Sequence, residues 1–137
     1  METFEPPQLQ ELHRNSYLIL IVEDDEDNLL LTAYILDSLN LNYLVAVDSS
    51  NIIELAEAHQ PNLILLDMIL PDISGMEIAR RLKQNLATKH IPIIAITALA
   101  FPEEREAIKR AGCDDYLIKP FLIEQLEAKI KSFLNLV

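Results

Sequence analysis

The chain has 137 residues, a length that favours one domain with a core of its own. Eleven Lys and Arg against twenty-two Asp and Glu leave a net charge of −11, which argues against binding nucleic acid or an anionic membrane surface. One cysteine excludes an internal disulfide framework and a cysteine zinc cluster, and two glycines, Gly75 and Gly112, exclude a glycine-rich nucleotide loop.

Residues 1–16 read as a flexible polar extension. Glu5-Pro6-Pro7 resists helix, and Leu9 and Leu12 are too few to make a core. From Tyr17 the pattern changes. Tyr17–Val22 is apolar on both faces, as a strand covered on both sides is, and it is too short to span a bilayer. Glu23, Asp24 and Asp25 follow, and the acidic run Asp25 to Asp27 reads as the cap of a first helix over Asn28–Asn40. Steps of about 100° per residue place Leu31, Ile35, Leu36 and Leu39 on one stripe of that helix. Leu29, Leu30, Ala33 and Tyr34 then form a second apolar patch, a candidate docking surface centred on Leu30 and Tyr34.

A second strand over Tyr43–Val47 and a helix over Asn51–His59 come next. Leu63–Leu66 is again apolar on both faces and runs into Asp67, before a helix over Gly75–Asn85. Ile91–Ile96 runs into Thr97 and Ala98, with a helix over Pro102–Ala111 beyond. Cys113 reads as a small packed residue. Tyr116–Ile118 ends at Lys119-Pro120, and Leu122–Leu136 carries Ile123, Leu126, Ile130 and Phe133 as a helical stripe. Strand and helix alternate five times, the pattern of an α/β parallel sheet with helices on both faces. No basic-then-apolar leader precedes them, so the expected compartment is the cytoplasm.

Parallel strands end at one edge of their sheet, where ligands of such folds bind. Glu23, Asp24, Asp67, Thr97 and Lys119 therefore converge on one crevice. Carboxylates held that close repel, and a hard divalent cation relieves the repulsion; Mg²⁺ suits few carboxylates and several waters. Other acidic sites fit poorly. An EF-hand starting at Asp24 needs glycine where Leu29 stands. A flavodoxin-type phosphate loop would here be Glu-Asp-Asp, which repels phosphate. A haloacid-dehalogenase-type phosphatase carries a second aspartate two residues past its nucleophile, where this chain has Ile69.

The stretches LILIVEDDEDN, LILLDMILPDISG, IIAITALA and AGCDDYLIKPF resemble, in order and spacing, the receiver domain of two-component response regulators, over about Tyr17 to Leu136. The resemblance implies a CheY-like, doubly wound (βα)5 fold with strand order 2-1-3-4-5, residues 17–137 being the receiver. It implies that Asp67 accepts a phosphoryl group from a histidine kinase or a histidine phosphotransfer protein. It assigns Mg²⁺ to Asp24 and Asp67, with Glu23 acting through water and the backbone carbonyl of Ile69 completing the site. Thr97, followed by Ala98, matches the hydroxyl that meets the phosphoryl group. Lys119 matches the lysine paired with the aspartate, before a cis bond to Pro120, and Tyr116 matches the aromatic switch.

The resemblance further implies a phosphorylation-controlled module without activity on external substrates, a monomer or weak dimer. A protein partner reads it through the surface of the fourth helix, fifth strand and fifth helix. No output domain is expected after the fifth helix. A relay carrier and a piece of a hybrid histidine kinase are the alternative contexts. An external phosphatase and a pseudo-receiver that only binds are less consistent with the residues. Ile69 and Leu99, apolar where the hydrolytic water would pass, lead us to expect slow loss of the phosphoryl group.

Overall fold

Five runs rich in Leu, Ile and Val form one parallel sheet: β1 (Leu18–Val22), β2 (Asn42–Ala46), β3 (Leu63–Asp67), β4 (Ile93–Thr97) and β5 (Asp115–Ile118). They are joined by α1 (Glu26–Ser38), α2 (Ile52–His59), α3 (Gly75–Gln84) and α4 (Pro102–Arg110), and α5 (Ile123–Leu134) follows β5. These come from a computed structural model that describes residues 17–46, 49–98 and 101–136. The extension expected over residues 1–16 lies outside the described residues, as does Leu99. The strand order is β2-β1-β3-β4-β5, the doubly wound order expected.

The core lies in two layers. Leu20, Val22, Ile64, Leu66 and Ile93 face α2, α3 and α4 with Ile78 and Leu82. The alternate residues Ile19, Ile21, Leu65 and Ile94 face α1 and α5 with Leu36 and Leu126. Every residue of β3 and β4 is buried, which is why these runs carry no polar alternation. Each such Leu or Ile contributes about 1.5–3 kcal/mol through burial. The observed β4 starts at Ile93, after Pro92, which has no N–H for the ladder.

Two helix faces differ from the sequence reading. On α1 the buried residues are Leu29, Thr32, Ala33, Ile35 and Leu36, while Leu31 is exposed. Ile35, Leu36 and the half-buried Leu39 of the expected stripe do face the core, and only Leu31 does not. Only the neighbours Leu30 and Tyr34 of the expected patch are exposed, now joined by Leu31. On α5 the buried stripe is Leu126, Ile130 and Leu134 with Phe133 half-buried against it, and Ile123 is exposed beside Leu122 in the first turn. The acidic start of α1 behaves as expected: the Asp25 carboxylate accepts the Asn28 N–H at 2.9 Å.

The edge of the sheet away from the strand ends is tied by Lys83. Its Nζ donates to the carbonyls of Ile91 at 2.7 Å and Lys89 at 3.2 Å, and lies 3.1 Å from Asp114 Oδ2. That same carboxylate oxygen accepts the Ile93 N–H at 2.8 Å. Gly112, at φ 102°, lies against the Lys83 stem, where a Cβ would meet Cγ at 2.7 Å. The loops entering β4 and β5 are thereby held in one register.

Candidate phosphoryl-acceptor site

Register carries the site residues to one place. Val22 pairs with Leu66, so Glu23 and Asp67 leave the sheet side by side. Asp67 pairs with Ile96 and Thr97 with Ile118, which puts Lys119 next along the edge. The Lys119 N–H donates to the Thr97 carbonyl at 2.8 Å, and the Lys119–Pro120 peptide is cis. Carboxylate oxygens of Glu23, Asp24 and Asp67 lie within 4.8 Å of one another. Asp24 is exposed, whereas Glu23, Asp67 and Thr97 are buried. Lys119 Nζ stands 3.6 Å from Glu23 Oε1 and 3.8 Å from Asp67 Oδ2, between the two carboxylates.

Backbone donors orient both buried acids. The Ile69 N–H donates to Asp67 Oδ1 at 3.1 Å, and the Asp25 N–H donates to Glu23 Oε2 at 3.2 Å. Burial first, and then the Asp67 charge, push the Glu23 carboxyl up from 4.5 to about 7, although Lys119 pulls it down. Three oxygen donors this close, two of them buried, fit a hard divalent cation with oxygen ligands. Beside them a groove of about 390 Å³ opens between α1 and the turn after β5, lined by Glu23, Asn28, Leu31, Ala98 and Phe121.

A buried aspartate at a strand end, faced by an acidic pair and a lysine, is the arrangement the sequence implied. The chain matches the family of response regulator receiver domains over residues 19–131. It belongs to that family. The Polar-differentiation response regulator DivK of Brucella anthropi is 35% identical over 117 residues, covering 85% of this chain and 95% of DivK. The receiver domain of sensor histidine kinase PA1611 from Pseudomonas aeruginosa is 30% identical, with a TM-score of 0.81 over 88% of this chain and 99% of that one. That structure holds a magnesium ion coordinated in its active site cleft. A CheY-like receiver domain protein from Methanospirillum hungatei is 30% identical at a TM-score of 0.80, covering 88% of this chain and 95% of that one.

In this receiver, Tyr116 is half-buried and packs against the core layer under α4. It lines a groove of about 530 Å³ between α4 and β5, with Arg105, Ile108, Lys109 and Cys113. Burial pushes the Cys113 thiol up to about 12, in keeping with a packed, unreactive residue. Ile69 is 55% exposed beside Asp67.

The sequence reading missed Gly75. A Cβ there would lie 2.6 Å from both the Asp67 carbonyl oxygen and Met68 Cα. The Gly75 N–H also donates to the Met68 carbonyl at 3.0 Å. Glycine thus lets α3 start directly against the backbone that holds the acceptor aspartate. Its rarity in this chain was the available signal.

Proposed function

We propose that this receiver accepts a phosphoryl group on Asp67 from a phosphohistidine of a histidine kinase or histidine phosphotransfer protein, and that a protein partner reads the modified state. The observation that carries the reading is Asp67, buried beside Glu23 and Asp24 with Lys119 3.8 Å away. We assign residues 17–137 to the receiver and 1–16 to an extension that precedes it.

The Ile69 N–H holds Asp67 Oδ1, which leaves Oδ2, the oxygen facing Lys119, to attack phosphorus in line. The new O–P bond forms as the P–N bond to the histidine ring breaks, and the ring keeps the electron pair. Lys119 offsets charge on the equatorial oxygens. Asp24, Asp67, the Ile69 carbonyl and, through water, Glu23 would hold Mg²⁺, whose contribution is further charge neutralisation. The product carries roughly two negative charges, which the Thr97 hydroxyl meets. Movement of Thr97 makes room for Tyr116 and changes the α4–β5–α5 surface. The chain acts on its own aspartate and on no external substrate.

Docking of the phosphodonor protein is assigned to α1, where Leu30 and Tyr34 are 51% and 65% exposed beside Leu31. That patch continues into the groove leading to Glu23 and Lys119. A relay role, in which Asp67 passes its group to a second histidine, draws support from the likeness to the receiver of a sensor histidine kinase.

The test is intact-mass analysis after incubation with acetyl phosphate, with and without Mg²⁺, beside Asp67→Ala. One phosphoryl group gained only with Mg²⁺ and only with Asp67 present is the expected result. A gain that persists in Asp67→Ala overturns the assignment of the acceptor.

A further inference from the structure

α4 is the helix least embedded in this fold. Of its nine residues only Ile108 is buried, against five on α1 and four on α3. Its start is also uncapped by any side chain: Phe101 at the N-cap has no oxygen to offer, and Pro102 follows it. Helix starts leave backbone N–H groups without intrahelical partners.

Glu104 stands three residues after Phe101, the position from which a glutamate or glutamine side chain can reach back to the N-cap N–H. α5 shows that bond made. Gln125, three residues after Leu122, accepts the Leu122 N–H at 2.7 Å. Glu104 does not make it. Among the described residues, its Oε1 is buried without a hydrogen-bond partner. A buried oxygen without a partner carries a desolvation cost, and the native conformation holds it only against that cost.

We propose that Glu104 is a built-in cap for α4, open in the conformation described here and closed onto the Phe101 N–H when the receiver is activated. The trigger rests on the phosphoryl reading above; the open cap does not. In the open form the unpartnered Oε1 weakens the seating of α4. In the closed form it satisfies a backbone donor four residues beyond Thr97 and fixes the first turn of the helix. Glu104 is then a positioning residue. It touches no reacting atom, and it sets how readily α4 changes place.

Hydrogen exchange of the α4 amides tests this with three proteins: unaltered, Glu104→Gln and Glu104→Met. Met keeps the packing and can accept no such bond; Gln can still cap. Without ligand, Glu104→Met is expected to slow exchange across α4 about fivefold or more, because the buried cost is gone. Unchanged or faster exchange overturns the open cap. With Mg²⁺ and beryllofluoride, the unaltered protein and Glu104→Gln are expected to gain α4 protection, and Glu104→Met much less. Equal gain in Glu104→Met overturns the closing step. If beryllofluoride leaves the amides around Asp67 unchanged in the unaltered protein, the phosphoryl reading and the trigger fail together. The unliganded comparison still decides the open cap.

Discussion

Glu23 shows how much an environment adds to a residue type. As a sequence letter it is one of three acids after a strand, and acids before a helix are ordinary caps. Asp25 is such a cap, and Asp24 faces solvent. Glu23 is buried beside Asp67, and burial together with that charge pushes its carboxyl to about 7. A carboxyl raised in the folded state stabilises the fold at low pH and loses that contribution as pH climbs from 4.5 through about 7. Without divalent cations, Glu23→Gln should therefore match the unaltered protein at pH 4 and exceed it at pH 8, by up to about 3 kcal/mol. Urea unfolding at the two pH values in the presence of a chelator checks this. Equal stability at pH 8 would mean that Lys119 already compensates the second carboxylate. The convergence of these residues was legible in the sequence because each ends a strand. Their unequal burial was not, because it depends on how far the α1 loop folds over them.

At the scale of elements, β1, β3 and β4 were the most legible parts, since burial on both faces leaves no polar position to confuse the pattern. α1 was the least legible. Its outer face carries Leu30, Leu31 and Tyr34, so its two sides look alike in sequence, and only packing against the sheet selects Leu29 and Ala33 as inner ones. Among the described residues, that exposed apolar face belongs to neither core layer. Leu30→Asp should leave the melting temperature and acceptance from acetyl phosphate unchanged, while slowing transfer from a phosphodonor protein about tenfold or more. Rapid transfer from that protein to Leu30→Asp would remove α1 from the docking surface. The start of α4 hid its character for another reason. Glu104 reads as a favourable acid in a first turn, and only the folded chain buries one of its oxygens without a partner among the described residues.

Across the whole molecule the two ends of the sheet do different work. The strand ends gather the chemistry, and the opposite edge is fastened by Lys83, Asp114 and Gly112. Gly112→Ala should destabilise the fold by about 1–3 kcal/mol, because alanine resists φ 102° and its Cβ meets the pinned Lys83 stem. Adding Lys83→Ala should recover part of that loss, a coupling that a double-mutant cycle in urea reads directly. Strict additivity would show that backbone strain alone is responsible. Sequence reasoning reached the overall order of strands through family likeness, yet it had no view of this fastening. A lysine and an aspartate thirty-one positions apart announce nothing until two loops are folded side by side.

The parallel register has a kinetic consequence. Glu23 and Lys119 lie at opposite ends of the described chain and meet only when β1, β3, β4 and β5 are all in place. Such long-range pairings form late and at high entropic cost. No half of the polypeptide contains the crevice, and a partly ordered chain offers a ligand there nothing to hold. Anything bound in the crevice should therefore lengthen the life of the native state by slowing its unfolding, while leaving the rate at which the chain first finds that state nearly untouched.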